Sequence, residues 1–211
     1  MNQKITIAIN REYGSGGRTI ATMLSKDLGI HYYDKEIARL AADDSGIAEE
    51  LFVRASEEFK GAPIFSFGPD VYDGEILPPS DKDYTSPKNL FACQARVMKH
   101  LCDTEPCILV GHGGGYVLRN RKNVVRVFVH APEYYLKEMA QTRISLTGKD
   151  LEKYIEKENK RRADYNYYYT GEKWDDAHYY DLCLDSSKLG FEKCVELIKG
   201  YMKIRFDGIE F

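Results

Sequence analysis

The chain has 211 residues, of which 43% are hydrophobic and 30% are charged, as in an ordinary water-soluble domain. Its formal net charge of −3 excludes a broad positive field that would draw the molecule to nucleic acid or to a membrane. No apolar run approaches the roughly 20 residues that span a bilayer, and the N-terminal segment reads as a strand rather than a signal peptide. We therefore expect one cytoplasmic domain over residues 1–211.

The first predicted strand covers residues 4–9, a β-branched apolar run typical of a strand buried on both faces of a parallel sheet. After a glycine-rich loop, residues 17–28 place apolar side chains at helical spacing, and Gly29 ends this predicted helix. The first N–H groups of a helix lack intrahelical partners, and the helix dipole is positive there. The order of strand, glycine-rich loop and helix is therefore typical of a phosphate-binding loop.

The loop and the first helical turn supply the candidate phosphate-binding residues Gly14, Ser15, Gly16, Gly17, Arg18 and Thr19. The three glycines let the backbone approach an oxyanion closely, and Ser15 adds a hydroxyl. A standard loop reads G-x-x-x-x-G-K-[ST], and its lysine binds the β- and γ-phosphates. Gly17 stands at the position of that lysine, so Arg18 is the candidate for the missing charge. The alternative is a tight strand-to-helix turn without a ligand.

A short second strand is predicted at residues 30–33. Asp34 follows it and either faces a ligand or caps the next helix, which runs to about residue 42. Another helix is predicted from residue 49 to about residue 58. Residues 60–87 hold five of the seven prolines, and we interpret them as a long irregular surface excursion rather than a linker.

The second half of the chain continues to alternate helices and strands. The predicted elements are helices at about 86–101, 133–146, 147–164 and 190–202, and strands at Cys107–Val110, Val124–His130 and 182–184. Thr147 and Asp150 have the spacing of a capping box. The alternation predicts an α/β fold with a central, mainly parallel five-stranded sheet flanked by helices. Ligands of such sheets bind beyond the carboxyl ends of the strands.

Five cysteines are spread along the chain, at positions 93, 102, 107, 183 and 194. They form no Cys-x-x-Cys pair, and they lack close His or Cys partners at the spacing of a zinc site. We expect them to be small buried thiols in a reducing compartment.

Several motifs extend the pattern beyond the loop. They are Arg11-Glu-Tyr-Gly-Ser-Gly-Gly-Arg18, Leu28-Gly-Ile-His-Tyr-Tyr-Asp34-Lys35, Arg126-Val-Phe-Val-His-Ala-Pro132 and Tyr180-Asp-Leu-Cys-Leu-Asp-Ser-Ser-Lys-Leu189. With these motifs the chain resembles, over essentially its whole length, the cytidylate kinase-like branch of the P-loop nucleoside monophosphate kinases. The resemblance implies a P-loop kinase fold with a helical lid.

The same resemblance implies an enzyme that uses ATP and Mg²⁺ to phosphorylate a nucleoside monophosphate, most simply CMP or dCMP. Thr19 matches the threonine of the family's loop and is a candidate to reach Mg²⁺ through a bound water. Its alternative role is that of an ordinary first-turn residue. Asp34 matches an aspartate beside the acceptor nucleotide, and Arg143 is a second candidate for acceptor binding.

Residues 143–178 match the lid of the related kinases, which closes arginines onto the phosphates. Arg161 and Arg162 are therefore catalytic candidates, together with Arg18. The alternative is a solvated charged helix with i,i+4 ion pairs such as Glu158–Arg162.

Tyrosines cluster near residues 165–180, beside Trp174. They are candidates to stack on a base or to pack the lid against the body, and Tyr168 and Tyr169 are candidates for a homodimer contact. Interleaved aromatic and basic residues also occur in sites for single-stranded nucleic acid. The negative net charge and the short basic patch argue against nucleic acid as a partner, so we expect small-molecule nucleotides instead.

Two departures from the family lower the positive charge expected near a phosphoryl-transfer centre. His112 stands where relatives carry an arginine, and the run Glu133-Tyr-Tyr-Leu-Lys137 lacks another. His112 is either a hydrogen-bond donor to phosphate or a hydrogen-bonded loop residue. Two alternatives to the kinase therefore stay open: a nucleotide- or anion-binding protein of the same fold without catalysis, and a kinase for another small acceptor.

Overall fold

Five parallel strands form the central sheet of the protein. The computed structural model describes residues 4–59, 63–67 and 76–209. The strands are β1 (Thr6–Arg11), β2 (His31–Tyr33), β3 (Cys107–Val110), β4 (Val124–His130) and β5 (Leu182–Asp185). They lie in the order β2-β3-β1-β4-β5, and every pairing is parallel. The predicted five-stranded α/β fold is confirmed.

Helices connect the strands and cover both faces of the sheet. They are α1 (Gly17–Leu28), α2 (Glu36–Ser45), α3 (Glu49–Ala55), α4 (Pro87–Thr104), α5 (Gly114–Val117), α6 (Glu133–Gln141), α7 (Gly148–Thr170) and α8 (Ser186–Arg205). Two 3₁₀ turns, Ile64–Phe67 and Ala177–Tyr179, lie in the connections. Within the described ranges, no helix has the length and apolar character needed to cross a membrane.

Each face of the sheet has its own hydrophobic core. Ile7 and Ile9 point to the face that α1 and α8 cover, whereas Ala8 points to the face covered by α2, α4 and the end of α7. Both faces of β1 are therefore buried from Thr6 to Ile9, and only its last two residues, Asn10 and Arg11, are partly exposed. A third, smaller cluster joins α6 to the first half of α7, through Leu136 and Leu151 among others.

β1 is longer at its carboxyl end than the sequence predicts. We expected it to end at residue 9, but Asn10 and Arg11 still pair with Phe128 and Val129 of β4. Strand pairing thus continues into polar residues that hydrophobicity alone assigns to a loop. As a result, the side chain of Arg11 projects from the sheet itself, where its backbone is fixed.

Helix α7 also extends beyond its predicted end near residue 164, to Thr170. Tyrosines have modest helix propensity, but Tyr165, Tyr168 and Tyr169 are buried in the core, and this packing outweighs propensity. The expected capping box is wrong, because the Thr147 side chain makes no capping hydrogen bond.

Two other boundaries differ from the prediction. α3 ends at Ala55 rather than near residue 58. α8 starts with a short turn at Ser186, where Asp185 accepts a hydrogen bond from the Ser187 N–H at 3.0 Å. The backbone is non-helical at Gly190, with φ 74° and ψ 168°, so the longer part of the helix begins close to the predicted start.

The prediction of five buried thiols is wrong for Cys183, which is exposed on the edge strand β5, whereas the other four cysteines are buried. The excursion predicted at residues 60–87 lies partly outside the described residues, at 60–62 and 68–75. Among its described residues, Leu77 donates its N–H to the buried Asn89 at 2.9 Å, which ties the segment to α4.

Candidate phosphate-binding site

The candidate residues gather at the carboxyl edge of the sheet, where β1, β2 and β3 end. The strand order reverses around β1, which lies between β3 and β4. Such a reversal opens a crevice at the strand ends, and ligands of α/β sheets bind there. The N-terminus of α1 points to the same edge because α1 follows β1 through a short loop.

The loop backbone curls through left-handed conformations at two glycines, with φ of 88° at Gly14 and 81° at Gly16. The first intrahelical bond of α1 runs from the Ile20 N–H to the Gly16 carbonyl at 2.9 Å. The N–H groups of residues 17–19 therefore precede the helical ladder, which is the arrangement that binds anions.

Neighbouring elements hold the loop in place. The Glu12 carboxylate accepts the Ala131 N–H at 3.0 Å, and burial raises the pKa of Glu12. The Tyr13 N–H donates to the Asn159 side chain of α7 at 2.6 Å. Ser15 is fully buried, and its hydroxyl donates to the Glu12 carbonyl at 2.9 Å, so this hydroxyl supports the loop rather than facing a ligand.

Arg11 is a site residue that the sequence analysis missed. Its side chain crosses Gly17: a Cβ on Gly17 would overlap the Arg11 Cβ and lie 2.8 Å from the Arg11 Cγ. The guanidinium reaches Gly111 at the end of β3, and its Nη2 lies 3.4 Å from the Asp34 carboxylate. One signal in the sequence was available, namely a glycine at the lysine position 17 together with an arginine six residues before it.

Arg18 and Asp34 form an ion pair at the mouth of the site. The Asp34 side chain is 12% exposed and binds both Arg18 and Arg11, whereas Arg18 is 51% exposed. Asp34 does not act as the predicted alternative, a side-chain cap of α2. The N-cap of that helix is Lys35, without a capping side-chain bond.

Helix α7 brings two further arginines to the loop. Arg162 donates from Nη1 to the Arg11 carbonyl at 2.9 Å, and its guanidinium lies 5.5 Å from the Tyr13 ring centre. Burial, with a contribution from the nearby Arg11 charge, lowers the pKa of Arg162 to about 9. Arg161 pairs with Glu158 at 3.0 Å, an i,i+3 pair that replaces the expected Glu158–Arg162 pair.

Thr19 and Arg143 contact each other. Arg143 donates from Nη2 to the Thr19 hydroxyl at 2.8 Å, from the turn that follows α6. The two candidates for acceptor binding, Arg143 and Asp34, therefore have separate partners. Arg143 contacts Thr19, whereas Asp34 binds Arg11 and Arg18. In the described part of the chain, no three His, Cys, Asp or Glu side chains gather as a metal site.

His112 follows β3 and is a hydrogen-bonded loop residue, the second of its two expected roles. Its Nδ1 lies 3.2 Å from the Gln94 side-chain oxygen, and its ring also hydrogen-bonds the Asp34 backbone. Burial lowers the pKa of His112 to about 4. The imidazole is therefore neutral near pH 7 and adds no charge to the site.

The tyrosine cluster packs α7 onto the body of the protein. Tyr169 stacks on Phe91 with ring centres 4.5 Å apart, and its hydroxyl donates to the Ala55 carbonyl at 3.0 Å. Tyr168 and Tyr169 are buried, so their predicted role as a homodimer contact is wrong. Trp174 is also buried, against Phe128 with ring centres 5.2 Å apart.

Taken together, four guanidinium groups converge on the loop and face the carboxylates of Asp34 and Glu158. They belong to Arg11, Arg18, Arg161 and Arg162. Positive charge therefore exceeds negative charge beside the positive end of the α1 dipole. This arrangement can hold a multiply charged anion such as a polyphosphate.

Comparisons with known proteins support the fold. Residues 6–188 match the model of the cytidylate kinase-like family. The fold is similar to an uncharacterized protein from Eubacterium ventriosum, with a TM-score of 0.67 and 21% identity over 94% of this chain and 98% of that one. It is also similar to shikimate kinase from Bacteroides thetaiotaomicron, with a TM-score of 0.51 and 10% identity over 94% and 98% of the two chains. No curated protein matches the chain.

Proposed function

Because the chain belongs to the cytidylate kinase-like family, we propose that it transfers the γ-phosphoryl group of ATP to a nucleoside monophosphate, with CMP or dCMP as the leading acceptors. The observation that carries this proposal is the convergence of four arginines on a glycine-rich loop at a helix N-terminus. Phosphoryl transfer needs little beyond positioning and charge neutralisation, and this site offers both.

The loop would hold the donor phosphates. Gly14, Gly16 and Gly17 let Leu136, Phe191 and Arg11 pack directly against the loop backbone, and the first N–H groups of α1 would bind the phosphate oxygens. Arg18, Arg161 and Arg162 would neutralise the charge on the transferred group. Arg161 and Arg162 lie past the midpoint of α7, so they would stay in place beside the loop when the first half of that helix moves.

Thr19 and Arg143 fit the magnesium-bound end of the donor. When bound, Mg²⁺ would supply positive charge to the β- and γ-phosphate oxygens. The Thr19 hydroxyl would hold this ion through a bound water. The Thr19 hydroxyl would exchange its Arg143 contact for a magnesium-bound water, and Arg143 would then contact the donor phosphates.

Asp34 would orient the acceptor. In the structure its carboxylate is held by two arginines that also line the phosphate site. An acceptor phosphate would offer these arginines a second anion. The Asp34 carboxylate would then be released to accept hydrogen bonds from the acceptor nucleotide.

α6 and the first half of α7 would close as the lid. These two segments share a small hydrophobic cluster separate from the two main cores, so they can move as a unit without opening either core. Closure would exclude water from the reaction and so prevent hydrolysis of ATP.

A second candidate function is nucleotide or anion binding without catalysis. It is favoured by the neutral His112 at a position where relatives carry an arginine, and by the absence of a lysine at position 17. A kinase for another small acceptor is the third candidate.

The experiment that separates them incubates the protein with ATP, Mg²⁺ and a panel of nucleoside monophosphates and small hydroxyl acceptors, and follows ADP and the phosphorylated products by chromatography. We expect equal amounts of ADP and of one pyrimidine diphosphate. Arg162→Ala should lower the rate at least tenfold, whereas Arg121→Ala, at an exposed pair with Asp103, serves as the control. Binding of ATP without ADP formation would favour the second candidate. ADP formed only with non-nucleotide hydroxyl acceptors would favour the third.

A further inference from the structure

We propose that Arg11 performs the role of the missing P-loop lysine, so that the phosphate-binding cation comes from the first position of the loop instead of the seventh. This inference rests on the proposed function. In the pattern G-x-x-x-x-G-K-[ST], placing Gly17 at the lysine puts Arg11 at the first glycine. The chain has therefore exchanged the two ends of the motif: a cation replaces the glycine, and a glycine replaces the cation.

The two positions share one space. The Arg11 stem lies directly over Gly17, where any Cβ would overlap the Arg11 Cβ. A lysine at position 17 and an arginine at position 11 are therefore mutually exclusive in this backbone. The reverse also holds, since the absence of a side chain at position 17 is what allows Arg11 to lie across the loop.

The Arg11 side chain extends past the loop, and its guanidinium lies beside the residues that follow β2 and β3. A Cβ on Gly111 would overlap Arg11 Nη1, and Nη2 lies 3.4 Å from the Asp34 carboxylate. The guanidinium thus stands between the ends of β1, β2 and β3, at the crevice where ligands of this fold class bind. Arg18, the candidate from sequence, is instead about half exposed at the rim.

The surroundings of Arg11 leave its charge incompletely balanced. Its side chain is 16% exposed, and it shares a single carboxylate, Asp34, with Arg18. Arg161 and Arg162 add further positive charge nearby, and burial lowers the pKa of Arg11. A bound phosphate would supply the negative charge that this cluster lacks.

Arginine suits this position better than lysine for a physical reason. A lysine ammonium is prone to lose its proton when it is buried beside other cations, whereas a guanidinium stays charged. Because several arginines crowd this site, an arginine at position 11 keeps its charge where a lysine would not.

The test exchanges the two positions. Binding of ADP with Mg²⁺, and of tripolyphosphate alone, is measured by calorimetry for Arg11→Met, Arg11→Gly, Gly17→Lys and the double variant Arg11→Gly/Gly17→Lys. Arg11→Met keeps an unbranched side chain over Gly17 and removes the charge, so it should fold and lose at least tenfold in affinity for both probes. Arg39→Ala, on the exposed face of α2, is the matched loss of an arginine and should bind like the wild type.

The double variant gives the sharper result. Gly17→Lys alone should bind worse than the wild type because its side chain meets Arg11. Arg11→Gly alone should bind worse because it lacks a cation. The double variant restores the first glycine and the lysine of the standard pattern and should bind tripolyphosphate more tightly than either single variant. Melting temperatures measured in parallel show which variants are folded at the assay temperature.

Two outcomes would overturn the inference: wild-type affinity in folded Arg11→Met, or a double variant no better than both single variants. Failure of the wild type to bind either probe would reject both this inference and the proposed function. Tripolyphosphate binding that depends on Arg11, without turnover of any acceptor, would support the inference and reject the phosphotransferase. Normal turnover in Arg11→Met would reject the inference and support the phosphotransferase.

Discussion

Three consecutive residues after β3, Gly111, His112 and Gly113, have positive φ angles of 81°, 56° and 69°. For the histidine, this left-handed backbone costs roughly 1–2 kcal/mol, because its Cβ crowds the neighbouring carbonyl. Hydrogen bonds from the ring to Gln94 and to the Asp34 backbone hold the turn together. Strained backbone conformations persist where the surroundings fix them, often at binding sites. His112 contacts Asp34, which pairs with Arg11 and Arg18.

His112 gives the folded protein a pH dependence of definite sign. Burial lowers its pKa from the ordinary value of about 6.5 to about 4, so folding disfavours the protonated form. Its contribution to stability is therefore complete above about pH 6.5 and is lost as pH falls toward 4. The slope is at most about 1.4 kcal/mol per pH unit.

Urea unfolding between pH 7.5 and 4.5 checks this expectation. His112→Asn keeps a residue that tolerates the left-handed backbone and should reduce the loss of stability over that range. His100→Asn, at an exposed position of α4, should leave the pH dependence as in the wild type. Identical slopes for the wild type and His112→Asn would contradict the assignment.

At the scale of elements, the phosphate loop depends on its contact with α6. Gly14 lies so close to this helix that a Cβ would overlap the Leu136 carbonyl oxygen and lie 3.0 Å from the Leu136 Cα. Both partners are backbone and cannot rotate away. The position of α6 therefore limits which side chains the loop can carry.

We expect Gly14→Ala to cost more stability than Gly29→Ala. Both glycines have positive φ, 88° and 62°, so both substitutions include a conformational cost of about 1–2 kcal/mol. Gly29 has open space around its missing Cβ, whereas Gly14 also meets Leu136. Urea unfolding measures the free energy of unfolding of both variants. Equal losses would show that α6 shifts away from the new methyl group at little cost in stability.

Helix α7 is divided into two halves by its packing. Tyr165, Tyr168 and Tyr169 belong to a main core, whereas Leu151 and Ile155 belong to the small cluster shared with α6. We therefore expect only the part of the predicted lid (residues 143–178) that includes the first half of α7 to move. The second half of α7 should stay in place, because its motion would open the main core.

Hydrogen exchange followed by mass spectrometry tests this division. Amides of residues 149–156 should exchange faster than those of residues 165–170, because local opening of the first half exposes less apolar surface. ADP with Mg²⁺ should slow exchange in the first half and leave the second unchanged. Uniform exchange along α7 would show that the helix opens as one unit.

At the scale of the whole molecule, the reaction rates of the cysteine thiols show whether the two faces of the sheet open together. Cys93, Cys102, Cys107 and Cys194 are buried, whereas Cys183 is exposed. Burial raises the pKa of Cys107 to about 12 and that of Cys194 to about 11, which further suppresses their thiolate forms.

A thiol reagent such as a disulfide dye should therefore react with one equivalent quickly and with the remaining four slowly. Cys183→Ser should remove the fast phase alone. The four slow thiols lie on both faces of the sheet, so a common rate for them would indicate global unfolding. A second fast equivalent would mean that one face of the sheet opens separately.

The fold was predictable because its signals are local. The alternation of β1, α1 and β2 follows from residues near one another in sequence, as does the position of the glycine-rich loop. Arg11 was missed because its role depends on residues far from it in the chain: Asp34, Gly111 and Arg162. Burial of Tyr168 and Tyr169 depends in the same way on contacts with Phe91 and the Ala55 carbonyl. Their helical spacing alone fits a core or a surface equally well.

The overlap between Arg11 and position 17 has a consequence for how this loop can evolve. A lineage that lost Arg11 first would carry a loop without either cation, and one that gained a lysine first would force two side chains into the same volume. If Arg11 is the phosphate-binding cation, each single-substitution path to the common loop passes through an intermediate that binds phosphate less tightly than its ancestor. Selection for phosphate binding would then keep a lineage with the kind of loop with which it began.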